Sequence, residues 1–171
     1  MQFHIQEMMS KNLQSTIEKQ QDVSKLFQDR RDVLETGPLH VSLTVTGYEQ
    51  FIVVEGQLTI DVTMACSRCL EPAREDVTIP FMEKFKPVEV MTEEDEEEEE
   101  SDFIEITNDK LDLLPYLEES LLLFLPFAPL CNNDCKGLCQ HCGQNLNEGS
   151  CTCKADHIDP RFEALKDFFK Q

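Results

Sequence analysis

CNNDCKGLCQHCGQNLNEGSCTC, residues 131–153, carries six of the chain's eight cysteines in the spacing C-x3-C-x3-C-x2-C-x8-C-x-C. Gaps of one and two residues are too short for useful loop closure by disulfides. They suit sulfurs converging on one ion, because Zn2+ takes four soft ligands tetrahedrally. The segment reads as a metal site, and the rest of the chain as its scaffold. Within it, Cys139-Gln140-His141-Cys142-Gly143 is a C-x-x-C-G knuckle. In such a turn backbone N–H groups face the first sulfur and glycine takes the left-handed angle that releases the chain. Cys151 and Cys153 complete a four-sulfur set once Asn147 and Gly149 reverse the chain.

Cys131 and Cys135 are left over, as is the distant pair Cys66 and Cys69. Four more thiolates make a second tetrahedral set if the end of a strand carrying Cys66 and the end of a helix preceding Cys131 are neighbours. Such a site would clamp the cysteine segment to the scaffold and couple metal binding to folding. The expectation is therefore two zinc ions, on Cys66, Cys69, Cys131 and Cys135 and on Cys139, Cys142, Cys151 and Cys153. Four other readings stand beside it: disulfides, a redox pair at Cys66 and Cys69, inert buried cysteines, and an iron–sulfur cluster. A reducing compartment disfavours the first, and the second lacks a βαβ context. Iron shares the same ligand type. His157 is the one histidine placed to substitute as a ligand; His141 points away from its knuckle, and His4 and His40 have no partner visible in the sequence.

Working outward, the helix before Cys131 is expected over about Leu113–Leu125. Asn108–Asp112 supplies capping residues, Pro115 sits in the first turn, and Leu113, Leu114, Leu117, Leu121, Leu122 and Leu125 form a wide apolar face. Pro126 stops it. Upstream, Val41, Leu43 and Val45 alternate with Ser42, Thr44 and Thr46 up to a turn at Gly47-Tyr48-Glu49, and a second strand begins at Phe51. Gly56 suggests a bulge or bend, after which Leu58, Ile60, Val62 and Met64 alternate straight into Cys66. Val77, Ile79 and Phe81 mark a third long strand, and Phe103–Ile106 a short edge strand. Near-helical spacing of Val23, Leu26, Phe27, Val33 and Leu34 suggests a helix before Gly37-Pro38. After the cysteines, Asp159 and Pro160 open a terminal helix lined by Phe162, Leu165, Phe168 and Phe169.

The expected fold is α+β. An antiparallel β-meander, or partly open barrel-like sheet, is packed by a helix and followed by a zinc-ribbon-like segment and a terminal helix. Residues 1–130 form the core domain and 131–171 the cysteine-rich unit. The chain's 171 residues suit that size, and its net charge is -19. Glu93–Glu100 and Asp102 hold a large share of this charge, so about 91–102 is expected to be a disordered loop, either solubilising or a lure for a basic partner. A uniform nucleic-acid-binding surface needs the opposite sign, so any RNA contact must be local or pass through a protein. The start, MQFHIQEMMSKNLQ, lacks a secretory pattern, and Leu121–Leu130 is too short and Pro-interrupted to span a bilayer. A cytoplasmic location is expected. No Ser-His-Asp arrangement, Walker loop or dinucleotide fingerprint is present, and two complete quartets leave no open coordination position, so no enzymatic activity is expected.

CSRCL-EP at 66–72, LPFAPLC at 125–131, and CKGLCQHCGQNLNEGSCTC followed by DPRFEALK resemble the YceD family, the large ribosomal RNA subunit accumulation proteins. The likeness is specific in the second half and loose over the first 36 residues. It implies a small bacterial cytoplasmic factor supporting accumulation of large-subunit (23S) ribosomal RNA, with plastid relatives and no established catalysis. Its gene often neighbours that of a small large-subunit ribosomal protein. Two mechanisms follow. Arg68, Lys136, Lys154 and Arg161 could form a local RNA-binding patch. Alternatively, an adaptor could hold a basic ribosomal or maturation protein that acts on the RNA. A zinc- or redox-sensing regulator unrelated to ribosomes is the remaining alternative.

Overall fold

The computed structural model of the chain describes residues 1–90 and 103–153. The acidic stretch, the terminal helix, His157, Lys154 and Arg161 lie outside the described residues. In chain order the elements are β1 (Gln2–His4), α1 (Ile5–Ser10), β2 (Gln14–Gln21), a 3-10 turn at Ser24–Phe27, β3 (Val33–Thr36), β4 (Leu39–Gly47), β5 (Ile52–Ala65), β6 (Pro72–Pro87), a 3-10 turn at Val88–Val90, β7 (Phe103–Ile106), β8 (Lys110–Asp112) and α2 (Leu114–Phe124).

The long strands follow the period-two pattern. Leu39, Val41, Leu43 and Val45 of β4, Leu58, Ile60, Val62 and Met64 of β5, and Ile79, Phe81 and Phe85 of β6 are all buried, because alternate side chains share one face of a strand. β4 pairs antiparallel with β5 from His40–Thr59 to Gly47–Ile52, and β5 with β6 from Ile52–Phe85 to Ala65–Pro72. Gly56 makes no bulge, since this register runs through it unbroken. It answers a close approach instead: at φ 151°, a Cβ there would lie 2.2 Å from the Ser42 carbonyl oxygen.

The six-stranded sheet runs β2-β4-β5-β6-β7, with β3 pairing β5, and no closed barrel forms among the described residues. Two features depart from an antiparallel meander. β7 pairs parallel with β6, Lys84 opposite Phe103 and Pro87 opposite Ile106. A parallel return needs a dozen or more connecting residues, which 88–102 supply. The helix suggested over Val23–Leu34 is also absent: Leu26 and Phe27 fall in the 3-10 turn just after Val23, and Val33 and Leu34 in β3, which lies on Val62–Met64 of β5 beyond the end of β4. β1 and β8 form a separate two-stranded ribbon.

α2 lies where its apolar stripe requires. Leu113, Leu117, Leu121 and Leu125 are buried in one cluster with Ile52, Leu58 and Phe85, and the Tyr116 ring meets Phe85 edge-on at 4.9 Å. The stripe is narrower than expected, since Leu122 is 38% exposed. Asp112 Oδ1 accepts the Leu114 N–H at 3.2 Å, a cap just ahead of the helix. The segment leaving α2 reaches the turn between β5 and β6, where the Pro129 carbonyl accepts the Ser67 N–H and the cysteines meet.

Candidate metal centres

β5 ends at Ala65, so Cys66 begins the turn into β6. The Cys66 N–H donates to the Glu71 carbonyl at 2.8 Å, and the Leu70 N–H donates back to the Cys66 carbonyl at 2.9 Å. Leu70 sits at φ 65°, the left-handed region. Cys66-Ser67-Arg68-Cys69-Leu70 is thus a knuckle with leucine in the glycine place. After α2, the Pro129 carbonyl accepts the Ser67 N–H at 2.9 Å, and this backbone contact sets Cys131 and Cys135 beside the turn. Cys69 and Cys131 sulfurs lie 3.4 Å apart and those of Cys66 and Cys135 3.8 Å. All four fall within 4.8 Å of one another. Cys66, Cys69 and Cys135 are buried with Ala73, against Leu130 and Leu138.

The second quartet, Cys139, Cys142, Cys151 and Cys153, also gathers within 4.8 Å. The Gly143 N–H donates to the Cys139 carbonyl at 2.9 Å, matching the Leu70 bond, and Gly143 takes φ 72°. A Cβ on Gly143 would meet nothing within 4 Å, so only the backbone angle asks for glycine here. The Cys139 N–H donates to the Gln144 carbonyl at 2.9 Å, and Leu138 bridges Asn145 antiparallel. Cys142 is exposed.

The electrostatics of the two sets run in parallel. Burial raises the Cys66 thiol, but N–H groups of Cys131, Arg68 and Cys69 on its sulfur outweigh this and lower it to about 6. N–H groups of His141 and Cys142 lower Cys139 to about 6 as well. In each set two partners go the other way: Cys69 and Cys151 are raised, and Cys131, beside Cys69, and Cys153, beside Cys142, are pushed up to about 12. The Asn147 amide lowers Cys135. Thiols that ionise readily beside thiols that resist ionising form an arrangement a divalent cation would relieve.

The residues fit a soft metal. All eight thiols are free. The edge of a tetrahedron with a Zn–S bond of about 2.3 Å is about 3.8 Å, close to the 3.8 and 3.4 Å separations of the first set and far from the ~2.05 Å of a disulfide. The structure brings together the two sets the spacing suggested, with His141 supplying backbone only. Of the proposed basic patch, Arg68 and Lys136 fall among the described residues, and Arg68 Nη1 donates to the Cys135 carbonyl at 2.7 Å. Sequence reasoning missed Leu70, because leucine hides a knuckle, and the full part of Asn147, read only as a turn residue. Asn147 donates through Nδ2 to the Cys135 sulfur at 3.4 Å; the Asn-Leu-Asn run at 145–147 was the available signal.

Among the described residues no helix is long and apolar enough to cross a membrane. An uncharacterised protein of Mycobacterium tuberculosis is 32% identical over 127 residues, covering 74% of this chain and 60% of its own length. The chloroplastic large ribosomal RNA subunit accumulation protein YCED homolog 1 of Zea mays is 26% identical over 166 residues, 78% of this chain and 54% of that protein. Large ribosomal RNA subunit accumulation protein YceD of Haemophilus influenzae is 28% identical over 101 residues, 58% of this chain and 53% of its own. The chain therefore spans 60% or less of the length of these three relatives. No solved structure matches it. The profile of the large ribosomal RNA subunit accumulation protein YceD matches residues 54–169, a span that includes all eight cysteines, and the chain belongs to that family.

Proposed function

We propose that this chain is a non-enzymatic, cytoplasmic ribosome-biogenesis factor that supports accumulation of large-subunit ribosomal RNA, and that its two quartets are structural zinc sites holding a ribbon-like segment against the sheet. Family membership over 54–169 carries the ribosomal part. The quartets support the rest: each is a complete four-sulfur set, which suits a metal without an open position for water or substrate. The protein acts as an adaptor for a basic ribosomal or maturation protein. Its net charge of -19 opposes direct contact with phosphates, and the Arg68 guanidinium is engaged on the Cys135 carbonyl.

Deleting the gene should lower the ratio of large- to small-subunit ribosomal RNA, and a Cys69→Ser gene should fail to restore it; an unchanged ratio removes the ribosomal reading. Pulldown of the tagged chain with and without nuclease separates the mechanisms. A protein partner retained after nuclease supports the adaptor. Tight, sequence-selective binding of the purified chain to a large-subunit RNA fragment replaces it with direct recognition.

A further inference from the structure

The residues between the two quartets are held from both sides. On the first-quartet side, the Leu138 N–H donates to the Arg68 carbonyl at 3.0 Å, and Arg68 Nη1 donates to the Cys135 carbonyl at 2.7 Å. On the other side, the Leu146 N–H donates to the Gly137 carbonyl at 2.9 Å, and Leu138 bridges Asn145. Asn147 ties the ends together. Its Oδ1 accepts the Lys136 N–H at 2.7 Å, while its Nδ2 donates to Asn145 Oδ1 at 2.9 Å and to the Cys135 sulfur at 3.4 Å. The amide orientation is determined by its neighbours: a backbone N–H can only donate, so the oxygen faces Lys136 and the NH2 group faces the sulfur.

Cys135 belongs to the buried quartet, whereas Asn147 lies in the loop between Cys142 and Cys151 of the exposed one. We propose that Asn147 is a positioning residue that couples the two centres, donating from the loop of the second to a sulfur ligand of the first, so that filling the exposed quartet slows loss of metal from the buried one. The inference rests on the reading of both quartets as metal sites. An N–H donor on a thiolate draws off charge and fixes the direction of the ligand, and such partners behind a ligand are worth roughly 10- to 100-fold in metal affinity. The donor is in place only while the 143–150 loop is closed, which convergence of Cys142 with Cys151 and Cys153 enforces. By linkage the effect is reciprocal: metal in the buried quartet holds Cys135 and, through Asn147, the loop of the exposed one.

The test uses the full chain loaded with zinc, and in parallel with cobalt(II), challenged with a colorimetric chelator. Wild type should hold two ions and release them in a fast and a slow phase, and Cys153→Ser should remove the fast one. Asn147→Asp keeps an oxygen for the Lys136 N–H but loses the donor, and Asn147→Ala loses both. Either variant should speed the slow phase by about tenfold or more. Each should also move the sulfur-to-cobalt charge-transfer band to lower energy, a signature that looser packing alone does not produce. In Cys153→Ser the remaining ion should also leave faster than the slow phase of wild type. Complete loss of the buried ion with the β-sheet circular dichroism retained is the same result at its limit. An unchanged slow phase and band in Asn147→Asp overturns the coupling while leaving two metal sites standing. A variant that fails to fold counts against it too, because Asn147 would then hold the chain rather than the ligand. Wild type binding fewer than two ions removes the metal reading beneath it.

Discussion

Cys66 and Cys69 lie far in sequence from Cys131 and Cys135, with separations of 69 residues between Cys66 and Cys135 and 62 between Cys69 and Cys131. Three of these four are buried behind Ala73, Leu130 and Leu138. The other quartet closes within residues 139–153, and Cys142 is exposed. Both begin on the same knuckle with one sulfur lowered to about 6. Local chemistry is therefore shared, while what each set connects is not. An ion in the first would cross-link the sheet to the segment after α2, whereas one in the second would order its own loop and reach the sheet only through Asn147. The contrast teaches that ligand type says little about energetic reach, which follows from the length of chain closed and the burial around the sulfurs.

The sharpest way to break this comparison is to remove one ligand from each set. Cys69→Ser should lower the stability of the metal-loaded protein by about 4 kcal/mol, the loop-closure entropy of a cross-link over such a separation. Cys139→Ser should cost the sheet transition about 1.4 kcal/mol, the tenfold weakening passed to the first set through Asn147, since the loop it orders is itself local. Denaturant melts followed by circular dichroism measure both, and equal losses would erase the distinction.

A smaller effect separates the knuckles. Leu70 adopts φ 65° while 66% exposed, and a left-handed angle costs a residue with a side chain about 1–2 kcal/mol. Leu70→Gly should therefore stabilise the protein by about 1 kcal/mol after its own entropy cost. Gly143→Ala, which meets no atom within 4 Å, should weaken only the exposed set by about 1 kcal/mol, read as faster chelator-driven release from that site. Destabilisation by Leu70→Gly would mean that the leucine makes contacts outweighing its strain.

A pH-dependent effect is common to both sets. In metal-free protein, Cys66 and Cys139 have folded values of about 6, below the ordinary 9.0. Their contribution to stability is thus present above about pH 9 and lost as the pH falls through 6. The thiolate ultraviolet absorbance should show these two ionising near pH 6, and Cys66→Ser and Cys139→Ser should each remove one. Both ionisations surviving near pH 6 in either variant would show that a different thiol, not the one held by the knuckle N–H groups, ionises first in that set.

Much of the scaffold was legible because its elements answer to local rules. Period-two runs at 39–46, 58–64 and 77–81 became β4, β5 and β6, and the leucines at 113, 117, 121 and 125 became the buried side of α2. β2 was not legible: as an edge strand it is mostly exposed on both faces, and its QSTIEKQQ carries one apolar residue, Ile17, so it has no alternation to read. Residues 23–34 misled for the opposite reason. Their spacing fits a helix, but β5 extends beyond the end of β4 and offers an open edge at Val62–Met64, which β3 occupies. Pairing there satisfies backbone groups that an isolated helix would have to satisfy alone.

The sequence by itself determined the chemistry of the cysteines and their division into two fours, because tight spacing leaves sulfurs few places to go. Only the tertiary structure decided that one four is buried and long-range, that Leu70 stands where a knuckle wants glycine, and that Asn147 reaches from one set to the other. These depend on α2 packing against the sheet and the segment after it bringing Pro129 to Ser67, a contact between segments far apart in the chain that no local pattern encodes.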